Sequence, residues 1–242
     1  MFLERKLKDQ SVWINIDSDS FKKNARIYQD YEIDKETIEY ALDKNERAHM
    51  DYNRENGTVV FIYNVLNLAT DKEHYETIPM TFVVQQGRLI TISNQDNAYV
   101  VDMMKRAWAA QMEVLKDVDV FCKKHNITYY AEWGTLLGAI RHKGFIPWDD
   151  DIDISMKRED YNKFCILASK EMEGYDIINN STRPWWDEIF SRIIYGDVVR
   201  TDKEYLDKFH GFPYVVGLDI FPLDYVSLTS EESKLQSDII GI

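Results

Sequence analysis

The sequence predicts an α+β fold in two parts, residues 1–104 and residues 105–242, and three observations lead to this prediction. Apolar residues make up 45% of the 242 residues and charged residues 29%, which is typical of a globular chain that can bury a core without disulfides. Strand-like segments are separated by helix-like segments and by long irregular connections. The predicted elements also change near residue 104, from short strands and helices to a long amphipathic helix.

Short strands dominate the predicted first part. The periodicity predicts strands at residues 11–16, 59–66, 79–84 and 88–93. The Gln86-Gly87 dipeptide between the last two strands is typical of a hairpin turn. Residues 34–53 are predicted as one helix, because Asp34 can cap its amino terminus and acidic residues follow in the first turn. The first part is therefore expected to be a mixed α/β domain.

Helical periodicity opens the predicted second part. Apolar side chains recur at three- and four-residue steps at Trp108, Met112, Leu115, Val118 and Cys122. The stretch AYVVDMMKRAWAAQMEVLKD crosses the predicted boundary without a linker, as one continuous helix would. The later predicted elements are strands at 127–131, 152–156 and 215–221 and helices at 134–141 and 159–172.

Charge excludes one class of partner. The formal net charge is −13, and residues 107–242 contain 24 acidic and 15 basic residues. Such a surface repels a polynucleotide backbone, so we expect no nucleic-acid partner. An anion of nucleotide size can still bind where a divalent cation bridges it to the protein.

The chain is expected to act in the cytoplasm, or at the inner face of the membrane. Its longest apolar stretch, residues 59–69, is far shorter than the roughly 20 residues needed to cross a bilayer, so no transmembrane segment is predicted. The amino terminus has no apolar signal core. The two cysteines, Cys122 and Cys165, are predicted to be reduced thiols.

An acidic run is the most informative feature of the sequence. Four aspartates occupy five positions at Asp149, Asp150, Asp151 and Asp153, and they repel one another unless a cation offsets their charge. Magnesium prefers carboxylate oxygens, and manganese is an alternative. Strand alternation puts Asp151 and Asp153 on one face, joined by Asp149 if the strand extends backward, whereas Asp150 points away. A lone Asp-x-Asp motif is also common on solvated loops.

Residues upstream of the acidic run predict a phosphate site. Gly134 and Thr135 lie at the mouth of a predicted helix, where backbone N–H groups and a hydroxyl can hold a phosphate. Arg141 and Lys143 add positive charge close to the carboxylates in the sequence. A phosphate cradle, a basic turn and an acidic strand together favour phosphoryl-transfer chemistry over a solvated loop.

Residues 107–226 resemble the LicD family, which includes the fukutin-related proteins and belongs to the polymerase-β-like nucleotidyltransferase superfamily. The resemblance rests on GTLLGAIRHKGFIPWDDDIDISMKREDYNKF and on GLDIFPLD. It implies a two-metal site in which Asp149, Asp151 and Asp153 match the family's acidic strand and Asp219 matches its additional carboxylate. Asp151, Asp153 and Asp219 would be catalytic, and Arg192 falls where the family often has a basic residue near the phosphates.

The LicD resemblance also implies an activity and its substrates. Members transfer phosphocholine or phosphoribitol from cytidine diphosphate donors onto cell-surface glycans, lipid-linked glycans or teichoic acids. LicD-like proteins usually continue well beyond the GLDIFPLD motif, so the resemblance predicts a C-terminally truncated domain.

Residues 1–104 resemble the cytoplasmic α/β domain of CorA-type magnesium channels. The resemblance rests on WINI, on YEIDKETIEYALDKNERAHMDY and on ETIPMTFVVQQGRLITIS. The channel's transmembrane helices and its Gly-Met-Asn signature are absent from this sequence, so transport is not implied and an oligomer is not expected. The alternative functions are therefore a non-catalytic magnesium-responsive binding module and an inactive truncated fusion.

Overall fold

The computed structural model describes residues 3–6, 12–18, 26–67, 76–146, 149–225 and 234. Its contacts divide the chain into two compact units. The first unit contains residues 1–108 and 137–150, and the second contains residues 109–136 and 151–242. Both units combine helices and strands, so the predicted α+β class is confirmed. The sequence did not predict that residues 137–150 would associate with the first unit.

A six-stranded sheet forms the centre of the first unit. Its strand order is β1-β2-β6-β5-β4-β3. The strands are β1 (Leu3–Lys6), β2 (Val12–Asp17), β3 (His49–Asn53), β4 (Thr58–Leu66), β5 (Thr77–Gln85) and β6 (Arg88–Ser93). The predicted hairpin between β5 and β6 turns at Gln86 and Gly87, both of which have positive φ, as a tight hairpin requires. Ile14, Ile62 and Ile90 are fully buried on this sheet.

Two short helices accompany this sheet, namely α1 (Arg26–Asp30) and α2 (Lys35–Leu42). Asp34 caps α2 as predicted, because its carboxylate accepts the backbone N–H of Thr37 at 2.7 Å. The prediction that this helix continues to residue 53 is wrong. The helix ends at Leu42, and His49–Asn53 instead pair with β4 as an antiparallel edge strand.

One long helix, α3 (Tyr99–His125), contains residues of both units. The continuous helix predicted across the boundary is therefore confirmed. Its early residue Val101 is buried with Trp13 and Leu89 in the first unit. Further along, Val114 and Val118 are fully buried in the second unit.

The second unit is built on a five-stranded sheet of order β7-β8-β11-β10-β9. The strands are β7 (Tyr130–Ala131), β8 (Asp153–Lys157), β9 (Tyr175–Ile178), β10 (Ser191–Tyr195) and β11 (Val216–Leu223). The helices are α4 (Trp133–Leu137), α5 (Arg158–Glu171) and α6 (Lys203–Lys208). A π-helical turn at Gly138–His142 follows α4 in the sequence but belongs to the segment assigned to the first unit. No helix among the described residues is long and apolar enough to cross a bilayer.

Parallel pairing between β8 and β11 determines which side chains share a face of this sheet. Asp153 lies directly opposite Asp219, and Ser155 lies opposite Phe221. Alternation places these four residues on one face, whereas Ile154 and Ile220 are buried on the other. The sheet therefore presents two carboxylates side by side from strands that are far apart in the sequence.

Candidate metal and donor site

Three of the predicted carboxylates come together in the second unit. Oxygen atoms of Asp151, Asp153 and Asp219 lie within 4.8 Å of one another. Asp151 is exposed, Asp153 is half-buried and Asp219 is 7% exposed. Such a set of carboxylate oxygens suits a hard divalent cation. Asp151 precedes β8, which begins at Asp153, so strand alternation does not bring it to this group.

Arg192 lies next to Asp219 on the neighbouring strand β10. Its guanidinium donates from Nε to Oδ1 of Asp219 at 2.5 Å and from Nη2 to Oδ2 at 2.6 Å. This two-point ion pair raises the pKa of Arg192 above its usual value. The Trp186 ring lies 5.5 Å from the guanidinium and adds a cation–π contact. Arg192 therefore belongs to the same cluster of side chains as the three carboxylates.

Thr135 holds the beginning of the acidic strand. Its hydroxyl oxygen accepts the backbone N–H of Asp153 at 2.8 Å. The backbone N–H of Glu132 also donates to the Asp153 carbonyl oxygen at 3.1 Å. Thr135 thus lies beside Asp153, and the role of Gly134 and Thr135 in donor binding stays a prediction.

Three other predicted residues, Asp149, Arg141 and Lys143, belong to the segment that associates with the first unit. The carbonyl oxygen of Asp149 accepts the indole N–H of Trp108 at 2.8 Å. Lys143 is exposed and adopts a left-handed conformation, with φ of 55°. Arg141 is exposed and donates to His142 at 3.3 Å. Their assignment to metal or donor binding stays a prediction.

Aromatic side chains that no sequence motif indicated also lie beside the carboxylates. Phe221 is two residues beyond Asp219 on β11, and Phe190 packs on it with ring centroids 4.7 Å apart. Trp133 lies on the other side, with its ring 6.4 Å from that of Phe221 and inclined at 62°. Trp186 packs edge-on against Phe190 at 5.5 Å. The sequence signal for a role of these aromatic residues was weak, because aromatic residues that are far apart in a sequence usually pack in a hydrophobic core.

Trp133 has an unusual backbone for a large aromatic residue. Its φ is 44°, in the left-handed region that favours glycine, and its side chain is 67% exposed. A non-glycine residue in a disfavoured region costs about 1–3 kcal/mol and persists where surrounding structure enforces it. Burial does not offset this cost, so the position points to a role other than packing.

Ser155 lies under this aromatic group, opposite Phe221 on β8. Its side chain is fully buried, and its hydroxyl has no hydrogen-bond partner among the described residues. An unpaired buried hydroxyl costs free energy, about 1–3 kcal/mol in mutational data.

A cavity of about 920 Å³ lies on the opposite face of the same sheet. Tyr161 and Cys165 of α5 line it, and both contact the buried hydroxyl of Ser191. Arg158 forms a two-point ion pair with Asp224 at its rim. None of the three grouped carboxylates lines this cavity, so we assign it no part in their chemistry.

Comparison with family models confirms both resemblances. Residues 126–228 match the model described as LicD/FKTN/FKRP, nucleotidyltransferase domain. Residues 8–122 match the model described as CorA-like Mg2+ transporter protein. All three grouped carboxylates, Arg192 and Thr135 lie within the first match.

Curated relatives match parts of the chain. Lipopolysaccharide cholinephosphotransferase LicD of Haemophilus influenzae is 53% identical over 64 residues, which are 25% of this chain and 24% of that protein. Uncharacterized protein RP689 of Rickettsia prowazekii is 34% identical over 140 residues, which are 53% of this chain and 50% of that protein. The chain thus spans half or less of the length of the curated relatives it matches.

Solved structures with some likeness include two of CorA from Methanocaldococcus jannaschii. Its soluble domain is 16% identical, with a TM-score of 0.31, over 37% of this chain and 34% of that one. The complete magnesium transporter is 12% identical, also with a TM-score of 0.31, over 83% of this chain and 48% of that one. No conclusion rests on likeness at that TM-score.

Proposed function

We propose, taking the LicD match of residues 126–228 as the premise, that this chain is a magnesium-dependent transferase. It would move a phosphocholine- or phosphoribitol-type group from a cytidine diphosphate donor to a hydroxyl group of a glycan, lipid-linked glycan or teichoic acid. Its relative in Haemophilus influenzae is named a cholinephosphotransferase, which supports the phosphocholine form.

The observation that carries this proposal is the grouping of Asp151, Asp153 and Asp219, whose carboxylate oxygens lie within 4.8 Å of one another. These carboxylates would hold one or two divalent cations, magnesium first and manganese as the alternative, with Asp149 as a further ligand. Magnesium bound there would polarise the acceptor hydroxyl and offset negative charge on the phosphates.

The reaction is an in-line displacement at phosphorus. The acceptor oxygen forms a bond to the phosphorus that bears the transferred group, and the bond from that phosphorus to the bridging oxygen breaks. Cytidine monophosphate leaves with the bridging oxygen, and the acceptor proton passes to a carboxylate, for which Asp219 is our candidate. No covalent intermediate with the protein is needed.

Basic and backbone groups would position the donor. Gly134 and Thr135 belong to the first turn of α4, which begins two residues after β7, the strand that pairs with β8, so their backbone N–H groups are candidates for phosphate binding. Arg192 is already oriented on Asp219 and is our candidate for contact with a phosphate oxygen. We retain Arg141 and Lys143 as further donor ligands from the sequence analysis.

A second candidate function is a magnesium-responsive binding module without catalysis. The match of residues 8–122 to the CorA-like family model supports it. An inactive truncated fusion is the remaining alternative. In either case the protein would release no cytidine monophosphate, whereas a transferase would.

A donor screen tests the proposal. The full chain is incubated with cytidine diphosphate-linked choline, ethanolamine, glycerol or ribitol, with magnesium or with EDTA, and free cytidine monophosphate is measured. We expect magnesium-dependent release from at least one donor by the parent chain and none by Asp153→Asn. Release that is equal in magnesium and EDTA, or that survives Asp153→Asn, would overturn the proposal, as would no release from any donor in the presence of a glycan acceptor.

A further inference from the structure

We propose that Trp133 and Phe221 form a subsite for a quaternary ammonium group next to the carboxylates. This inference deepens the proposed function and rests on it for the identity of the donor. The subsite would take the trimethylammonium end of a choline-containing donor while the carboxylates and their cation hold the phosphates.

Position along the sheet is the first argument. Phe221 follows Asp219 by two residues on β11, so its ring lies one strand repeat, roughly 7 Å, from the carboxylate along the same face. Trp133 lies next to Glu132, whose backbone N–H contacts the Asp153 carbonyl oxygen. A short linker from a phosphorus held at the carboxylates therefore reaches the two rings.

The shape of the pair is the second argument. The rings of Trp133 and Phe221 are inclined at 62°, with centroids 6.4 Å apart, so they form a corner and not a slot. A flat base stacks on one ring plane and uses one wall of such a corner, whereas a rounded trimethylammonium group contacts both ring faces. Phe190 packs on Phe221 and holds that wall in place.

Charge is the third argument. The ring faces attract cations through their quadrupoles, with tryptophan the strongest. The neighbouring carboxylates of Asp151 and Asp153 make the surroundings negative. In the same aromatic group, the Trp186 ring makes a cation–π contact with the Arg192 guanidinium, whose central carbon lies 5.5 Å from the ring centroid.

The backbone of Trp133 is the fourth argument and is independent of the others. A tryptophan held in the left-handed region with 67% of its surface exposed gains little from packing. A ring that must be presented to a ligand explains both the conformation and the exposure.

Binding of choline to the full chain tests the subsite without requiring turnover. Choline and its uncharged isostere 3,3-dimethyl-1-butanol are titrated calorimetrically into the parent chain, Trp133→Leu and Trp185→Leu. Leucine keeps apolar bulk but removes the ring face. Trp185 is the matched control, because it is also 67% exposed and contacts Trp186. Circular dichroism and melting curves verify that each variant is folded.

We expect choline to bind the parent at least about five-fold more tightly than the isostere, which is the size of a cation–π contribution at a partly exposed site. Trp133→Leu should lose at least about five-fold in choline affinity, and Trp185→Leu should match the parent. Phe221→Leu provides a second variant if Trp133→Leu does not fold. No choline binding by the parent, or equal binding of choline and the isostere, would overturn the inference, as would equal losses in both tryptophan variants.

A parallel titration with ribitol distinguishes failure of this inference from failure of the proposed function. If ribitol binds in place of choline and Trp133→Leu weakens that binding, the subsite takes a polyol and the inference is wrong, although a phosphoribitol transferase remains. If choline binds as expected but no donor releases cytidine monophosphate, the subsite stands and the proposed transfer fails.

Discussion

At the scale of single residues, the proposed function has Asp219 bind a cation, whereas the structure pairs it with Arg192. As a metal ligand it must offer an oxygen to a cation, yet Arg192 occupies both of its oxygens. Arg192 in turn is our candidate for a donor phosphate. The conflict is resolved if the guanidinium turns from Asp219 to the phosphate when the cation enters, so that donor and magnesium bind with positive coupling.

Replacement of Arg192 tests this competition. Arg192→Gln should lower the stability of the magnesium-free protein by about 1–3 kcal/mol, because the buried carboxylate of Asp219 loses its partner. Magnesium should then raise the melting temperature of the variant by more than it raises that of the parent, since no guanidinium competes for Asp219.

Arg200 supplies the control for that experiment. It makes a similar two-point pair with Asp202, at 2.8 and 3.0 Å, on the exposed surface near α6. Arg200→Gln should change stability by less than about 1 kcal/mol and leave the magnesium response unchanged. An equal or smaller magnesium response in Arg192→Gln than in the parent would contradict the competition.

The carboxylate group itself makes a separate prediction. Magnesium with cytidine monophosphate should raise the melting temperature of the parent, and Asp151→Asn and Asp153→Asn should each abolish most of that rise. Asp197→Asn, at an exposed position between β10 and α6, should behave as the parent does. A loss of response that is the same at all three positions would indicate a diffuse acidic patch instead of a site.

At the scale of elements, local patterns predicted the structure well wherever a residue's neighbours in sequence decide it. The β5–β6 hairpin, the long α3 helix and the strand near Asp153 all have the predicted type. Residues 34–53 failed because the helical pattern does not reveal that β4 offers a free edge to His49–Asn53. In that segment, long-range strand pairing outweighed the local propensity for helix.

The sequence likewise predicted some residues of the candidate site and missed others. The acidic run and Thr135 were identified from local sequence, and the structure groups Asp151, Asp153 and Asp219. Arg192 and Asp219 were identified only through the family resemblance, because their proximity depends on the β10–β11 pairing. Trp133 and Phe221 were missed altogether, since no local pattern places them together.

Close approach of β10 and β11 gives a prediction at this scale. A Cβ atom at Gly217 would lie 2.5 Å from the Ile193 carbonyl oxygen, so Gly217→Ala must push the strands apart. We expect a loss of about 1–3 kcal/mol in urea unfolding, and a weaker magnesium response because Arg192 and Asp219 lie on these strands. Gly144→Ala is the control, as a Cβ there meets nothing within 4 Å. Equal stability of the two variants would contradict the prediction.

At the scale of the whole molecule, the 27-residue helix α3 is shared between the units. Val101 is buried in the first unit and Val114 in the second. Both residues belong to one continuous hydrogen-bonded helix. If the helix unfolds in one unit, the packing that the same helix provides in the other unit is weakened as well. We therefore expect the parent to unfold in one calorimetric transition.

Proline at residue 109, the first helix residue assigned to the second unit, tests this coupling. Ala109→Pro removes the bond to the carbonyl of Lys105 and should cost about 3 kcal/mol or more. Two separate transitions should then appear in calorimetry. Ala109→Gly keeps the hydrogen bond, should cost about 1 kcal/mol and should keep one transition. Two transitions in the glycine variant, or a single one in the proline variant, would show that helix continuity is not what joins the units.

The parallel register of Asp153 with Asp219 also has a consequence for synthesis on the ribosome. Strands β8 and β11 are neighbours in the sheet, but two other strands and two helices are translated between them. Contacts between distant segments form slowly, and the earlier part of a chain folds first as it emerges. The nascent chain therefore carries its acidic run before first Arg192 and then Asp219 have been synthesised. We expect the cation site to be among the last features to mature, after the first sheet is complete.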